Sequence, residues 1–108
     1  MKDMNFNYIV TTFMEECAEL TQILSKCMRF GMDSKNPHTG KVNTELLIDE
    51  FHDVMACFKL LSLYLDEHHR IDISKLDEEK ITRKISRMKK YFKESRLNDN
   101  FYYKHATK

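Results

Sequence analysis

Two carboxylate pairs hold the chemistry of this 108-residue chain. Glu16 and Glu19 lie in the run Glu15-Glu16-Cys17-Ala18-Glu19, and Glu50 and Asp53 in Glu50-Phe51-His52-Asp53. Residues three apart on a helix share a face, about one turn along, so each pair can grip a cation from one side. Ionised carboxylates beside an apolar core are costly unless paired or bound to a metal. If all four meet, the site must take up protons or a cation. Oxygen-only ligands select hard cations: magnesium, or manganese in its place. Magnesium keeps waters and bridges phosphates, which pairs a carboxylate cluster with a phosphate substrate. A di-iron bundle would want Glu-x-x-His motifs on two helices. The chain offers only Asp49-x-x-His52, in a different sector from Glu50 and Asp53, and the first helix has no histidine.

The elements that must position these pairs read as helices. From about residue 4 to 30, Phe6, Ile9, Val10, Phe13, Cys17, Leu20, Leu24 and Cys27 recur at three- and four-residue steps, forming one stripe centred near Phe13. Glu16 falls about 60° from that centre and Glu19 about 120°, on the same side. Gly31 can end the helix in a left-handed cap. Residues 31–43 form the one obvious loop, holding both glycines and the only proline. That is long for a bundle connection, so a lid or substrate contact stands beside a plain mobile loop. Asn43 or Thr44 can cap a second helix running to about residue 68. Its apolar residues cover nearly the whole circumference, more than a three-helix monomer can bury, which implies a homo-oligomer, dimer or tetramer. Glu50 and Asp53 interrupt the apolar row of Leu46, Cys57 and Tyr64. Ser74 begins a third helix with Asp77, Glu78 and Glu79 in its first turn. Ile81, Ile85, Met88 and Phe92 make its narrow stripe, and the pattern stops after about Ser95.

The expected architecture is all-α: a small bundle of three main helices forming a single domain at 1–96, with a tail at 97–108. Two Gly and one Pro are too few for the turns of a many-stranded fold. No apolar run approaches the roughly 18 residues of a membrane span, and no signal-peptide pattern opens the chain, so a cytoplasmic protein without a membrane partner is expected. Three cysteines, an odd number with no C-x-x-C pair, read as small buried apolar groups rather than a zinc site. Charge is uneven: residues 1–79 hold 15 acidic and 8 basic side chains, residues 80–108 hold 2 and 10. An acidic body with a basic end suits a metal and an anionic ligand.

Glu15-Glu16-x-x-Glu19 followed by Glu50-x-x-Asp53 resembles the EExxE…ExxD signature of the MazG-like all-α nucleoside triphosphate pyrophosphohydrolases. The run from Glu15 to Leu20, continuing through Lys26-x-x-Arg29-Phe30-Gly31, is also similar to small MazG-like proteins. The resemblance covers roughly residues 6–90. The thirty residues from Glu19 to Glu50 are at or beyond the long end of the usual spacing. What the resemblance implies is a magnesium-dependent hydrolase that cleaves a nucleoside triphosphate to monophosphate and pyrophosphate. By motif matching, Glu16, Glu19, Glu50 and Asp53 would be the metal ligands, with Glu15 a supporting group. Charge builds on the leaving pyrophosphate, so cations are wanted there: Lys26 and Arg29 are candidates, as are Lys80, Lys84 and Arg87 on the third helix. The alternative is a non-enzymatic helical module that binds nucleic acid or a protein partner through the basic helix 80–96. It holds 8 basic residues against 1 acidic, but such lysine-rich faces are commonly just solvated.

Overall fold

The computed structural model describes residues 4–98. The expected tail, with Phe101, Tyr102 and Tyr103, lies outside the described residues from position 99 on. Three helices follow in order, α1 (Phe6–Phe30), α2 (Asn43–His69) and α3 (Glu78–Asn98). Among the described residues the only β-type pairing is one isolated bridge between Lys35 and Val42. The described residues are therefore all-helical, as the periodicity predicts. It divides into two compact units, one ending at Ser74 and the other beginning at Lys75.

The first unit is an antiparallel hairpin of α1 and α2. Phe6, at the start of α1, meets Tyr64, near the end of α2, with ring centroids 5.7 Å apart. At the other end, Asn43 Nδ2 donates to the Gly31 carbonyl at 2.9 Å. The buried residues of α2 recur every seven positions: Asn43, Glu50 and Cys57. On α1, Ile9 and Cys27 are buried, and Phe13, Glu16, Leu20 and Ile23 are half-buried. This seven-residue repeat marks a coiled-coil-like seam. Its line on α1 runs through Ile9, Glu16 and Ile23. Glu16 thus sits in the seam rather than about 60° off a stripe centre. The sequence stripe was two stripes fused. Half of it packs on α2, while Cys17 and Leu24 lie exposed. Cys27 and Cys57 are buried free thiols, as expected, but Cys17 is exposed.

Helix ends are set by local chemistry, with three departures from expectation. Asn5 caps α1, its Oδ1 accepting from the Tyr8 amide at 2.8 Å. Gly31 ends α1 with φ 98° and ψ 155°, outside the left-handed helical region but still at positive φ, where a side chain is strained. Asn43 does not cap α2. Val42 holds the cap position, and Glu45 Oε1 accepts from its amide at 3.5 Å. Asn43 instead lies inside the first turn of α2 and turns its side chain back to the end of α1. Ser74 does not begin α3. Its amide and hydroxyl are both taken by Asp72 Oδ1. Asp77 is the cap instead, accepting from the amides of Glu79 at 2.9 Å and Lys80 at 3.3 Å. α2 ends at Arg70, in the left-handed region at φ 55°, and the Ile71 amide donates to the Leu65 carbonyl at 3.1 Å.

The loop between α1 and α2 is held by its own hydrogen bonds. Asn36 Oδ1 accepts from the amides of His38 and Thr39, and the Asn36 amide donates to the Lys41 carbonyl at 2.7 Å. The Asn43 amide donates to the Ser34 carbonyl, and the Thr44 amide to that of Met32. Lys41 also pairs with Asp49 at 2.9 Å. That pair is about half exposed, so it contributes little to stability.

Candidate metal centre

The antiparallel seam explains why the two spacings matter. Glu16 and Glu50 both occupy seam positions, one from each helix. Residues three further on, Glu19 and Asp53, flank the seam on a single face of the hairpin, because opposed helices bring like flanks together. One oxygen each from Glu16, Glu50 and Asp53 lie within 4.8 Å of one another. Glu50 is only 5% exposed, Glu16 is half-buried and Asp53 is open to solvent. Glu19 is exposed and falls outside that set of three. It stays close enough for its charge to act on Glu50.

The electrostatics of the cluster are those of a site short of positive charge. The Glu50 carboxyl is pushed up from 4.5 to about 7. Burial is the largest cause, followed by a hydrogen bond with Glu16 and the negative charges of Glu16, Glu19 and Asp53. The hydrogen bond needs a proton on one of the two carboxyls. When both are ionised they only repel. Glu16 Oε2 and Glu50 Oε1 are buried with no hydrogen-bond partner. Two orphaned carboxylate oxygens in one cluster leave two ways to settle the charge, a shared proton or a cation. Around magnesium, opposed oxygens stand about 4 Å apart and adjacent ones about 3 Å, so the three oxygens would have to draw together to share one small hard cation. Cys57, one turn beyond Asp53, has its thiol pushed up by burial and then by Glu16, Cys17, Asp53 and Glu50. A thiol held protonated is a poor nucleophile and a poor metal ligand.

The remaining expected site residues are dispersed. Glu15 is exposed and does not belong to the cluster. Lys26 is half-buried and lies on the same flank as Glu19, seven residues further along α1, or about 10 Å. With Phe30, Ser34, Lys35, His38 and Asn43, it lines a pocket at the loop end of the hairpin. Arg29 is exposed, its guanidinium 5.1 Å from the Phe30 ring centroid. Lys80, Lys84 and Arg87 are exposed on α3, in the second unit. Sequence reasoning missed Asn43 as a buried tie between the helix ends. Its seven-residue spacing from Glu50 was the available signal.

No family model, curated protein or solved structure matches the chain. No helix among the described residues is long and apolar enough to cross a membrane.

Proposed function

We propose that the chain is a magnesium-dependent nucleoside triphosphate pyrophosphohydrolase of the MazG-like all-α kind, working as a homo-oligomer. The observation that carries this reading is the cluster of Glu16, Glu50 and Asp53 with two buried oxygens lacking partners. Glu16, Glu50 and Asp53 would hold Mg2+ or Mn2+, with Glu19 at the open edge. Such a cation, when bound, polarises phosphoryl oxygens and makes water more acidic. Among the chain's own groups, a carboxylate of the cluster receives the proton of the attacking water. Lys26 faces the same side, a turn or two towards the loop, where the side chain of a lysine reaches back along its helix. There it neutralises the phosphates that depart. Lys35 and His38 line the same pocket and add positive or hydrogen-bonding groups for an anionic substrate.

The test is incubation with Mg2+ and a panel of ribo- and deoxyribonucleoside triphosphates, identifying both products. Monophosphate and pyrophosphate are expected from at least one nucleotide. No product from any of them at micromolar protein would end this reading. Tight, salt-sensitive binding of nucleic acid without hydrolysis would instead favour a binding role for the basic helix α3.

A further inference from the structure

The second unit presents a surface of another kind. All residues of α3 from Glu78 to Ser95 are exposed. Ile81, Ile85, Met88 and Phe92 recur at four- and three-residue steps and are 37% to 57% exposed. They form a single apolar stripe about 60° wide. From Lys80 to Lys93 the helix carries seven basic residues and no acidic one. Lys84 and Lys89 border the stripe, each about 70° from its centre and on opposite sides. The other cations continue round the polar face. Tyr91 stands at the same border as Lys84 and is exposed. Its ring is apolar and its hydroxyl polar, which suits a boundary between water and an apolar medium.

We propose that α3 lies on anionic lipid surfaces, with its apolar stripe in the headgroup boundary and its cations against the lipid phosphates. A basic amphipathic helix of low overall hydrophobicity rests in the membrane interface rather than crossing it. The expectation of no membrane partner rested on the lack of a spanning run, and a helix of this kind needs none. Charge decides among the occupants. A second copy of α3 would set Lys84 and Lys89 against like charges along the seam. An acidic helix would meet the cations at the two borders and leave those behind them unmatched. Nucleic acid would take the cations and leave the stripe in water. A lipid surface takes both. The helix is about 10–12 Å across, and attraction to the surface reaches about a Debye length, roughly 10 Å, so cations all round the helix feel it. Lys84 and Lys89 can bury their stems beside the stripe and hold their ammonium groups at the headgroups. This inference stands apart from the hydrolase reading, because it concerns neither metal nor nucleotide.

Flotation of the intact protein with vesicles tests it. Vesicles of phosphatidylcholine and phosphatidylglycerol in equal parts should bind it about tenfold or more tightly than phosphatidylcholine alone. Ile81→Ser with Ile85→Ser should weaken binding to the mixed vesicles by about tenfold or more. A wild type that ignores the mixed vesicles, or a double variant that binds them undiminished, overturns the proposal. Binding to duplex DNA without binding to vesicles overturns it too, and gives the cations to nucleic acid. Should the double variant lose helical circular dichroism, fluorescence takes its place. The chain has no tryptophan, so one introduced by Met88→Trp reports alone from the stripe. Its emission should move to the blue when the mixed vesicles are added, while that of Lys90→Trp, opposite the stripe, should not. Equal shifts in the two variants, or none in either, overturn the proposal.

Discussion

Asn43 and Glu50 sit two turns apart on one line of α2, and each is 5% exposed. Their polar groups are treated in opposite ways. Asn43 Nδ2 donates to the carbonyls of Gly31 at 2.9 Å and Lys26 at 3.5 Å. Glu50 keeps a buried oxygen with no partner and faces two or three other carboxylates. A buried polar group that is satisfied holds a fold together. One left unsatisfied is a cost that stability alone does not explain. The contrast is what sets Asn43, a structural tie, apart from Glu50, the proposed cation ligand. It can be broken at either end.

The largest effect is expected at Glu50. Glu50→Gln removes a negative charge from the cluster and keeps its size. Divalent-cation affinity, read by isothermal titration with Mn2+, should fall about 100-fold or more, and any pyrophosphohydrolase activity should fall with it. Unaltered cation binding in this variant would make Glu50 a structural residue like Asn43. The cation-free protein should respond in the opposite sense. Glu50 binds its proton more tightly folded than unfolded, since its carboxyl rises from 4.5 to about 7. Its contribution to stability is therefore full below pH 4.5 and is lost as pH rises through about 7. Urea midpoints without divalent cations should fall across that window for the wild type and stay flatter for Glu50→Gln. Added Mg2+ should restore the wild type at pH 7 and leave the variant unmoved.

How much of this was legible beforehand depends on the range of the interaction. The three helices follow from apolar periodicity, and the i,i+3 carboxylate pairs from spacing. The depth of Glu16 did not, because a wheel cannot tell that Cys17 and Leu24 belong to another face than Ile9 and Cys27. Assigning two faces to one stripe needs the position of α2. Asn43 and Ser74 show the same limit in small. Both are good cap residues by type. Asn43 is drawn to the end of a different helix, twelve residues back, while Asp72 occupies Ser74 before it can serve α3. The three that converge (Glu16, Glu50 and Asp53) were within reach of sequence reasoning. The exposed outlying place of Glu19 was not, since position on a flank does not fix where a long side chain ends.

Asn43→Ala comes next in size. It leaves the Gly31 carbonyl without its side-chain donor and removes the buried tie between the two helix ends. The expected loss is about 2 kcal/mol in chemical denaturation. Cation affinity should change little, because the cluster is some 10 Å away along α2. A variant that lost cation binding while keeping its stability would reverse the roles assigned to these two residues.

The smallest effect is expected one residue on. The Thr44 hydroxyl donates to the Met32 carbonyl at 2.9 Å, and so does the Thr44 backbone amide, at 3.0 Å. Thr44→Val keeps the shape and removes only the hydroxyl. The carbonyl retains the amide, so no acceptor is orphaned, and a net hydrogen bond between partly exposed groups contributes about 0.5–1 kcal/mol. The drop in stability should therefore be less than half that of Asn43→Ala. Asn43 and Thr44 share the same first turn and reach neighbouring carbonyls, so loop geometry does not distinguish them. What differs is depth: Asn43 is buried and its loss leaves the Gly31 carbonyl only the long bond from the Ser34 amide at 3.4 Å, whereas Thr44 is half-buried and the Met32 carbonyl keeps a 3.0 Å amide bond. Equal losses in the two variants would mean that the burial of the polar group is not what sets the cost. The same reasoning at Glu50 would then lose its footing.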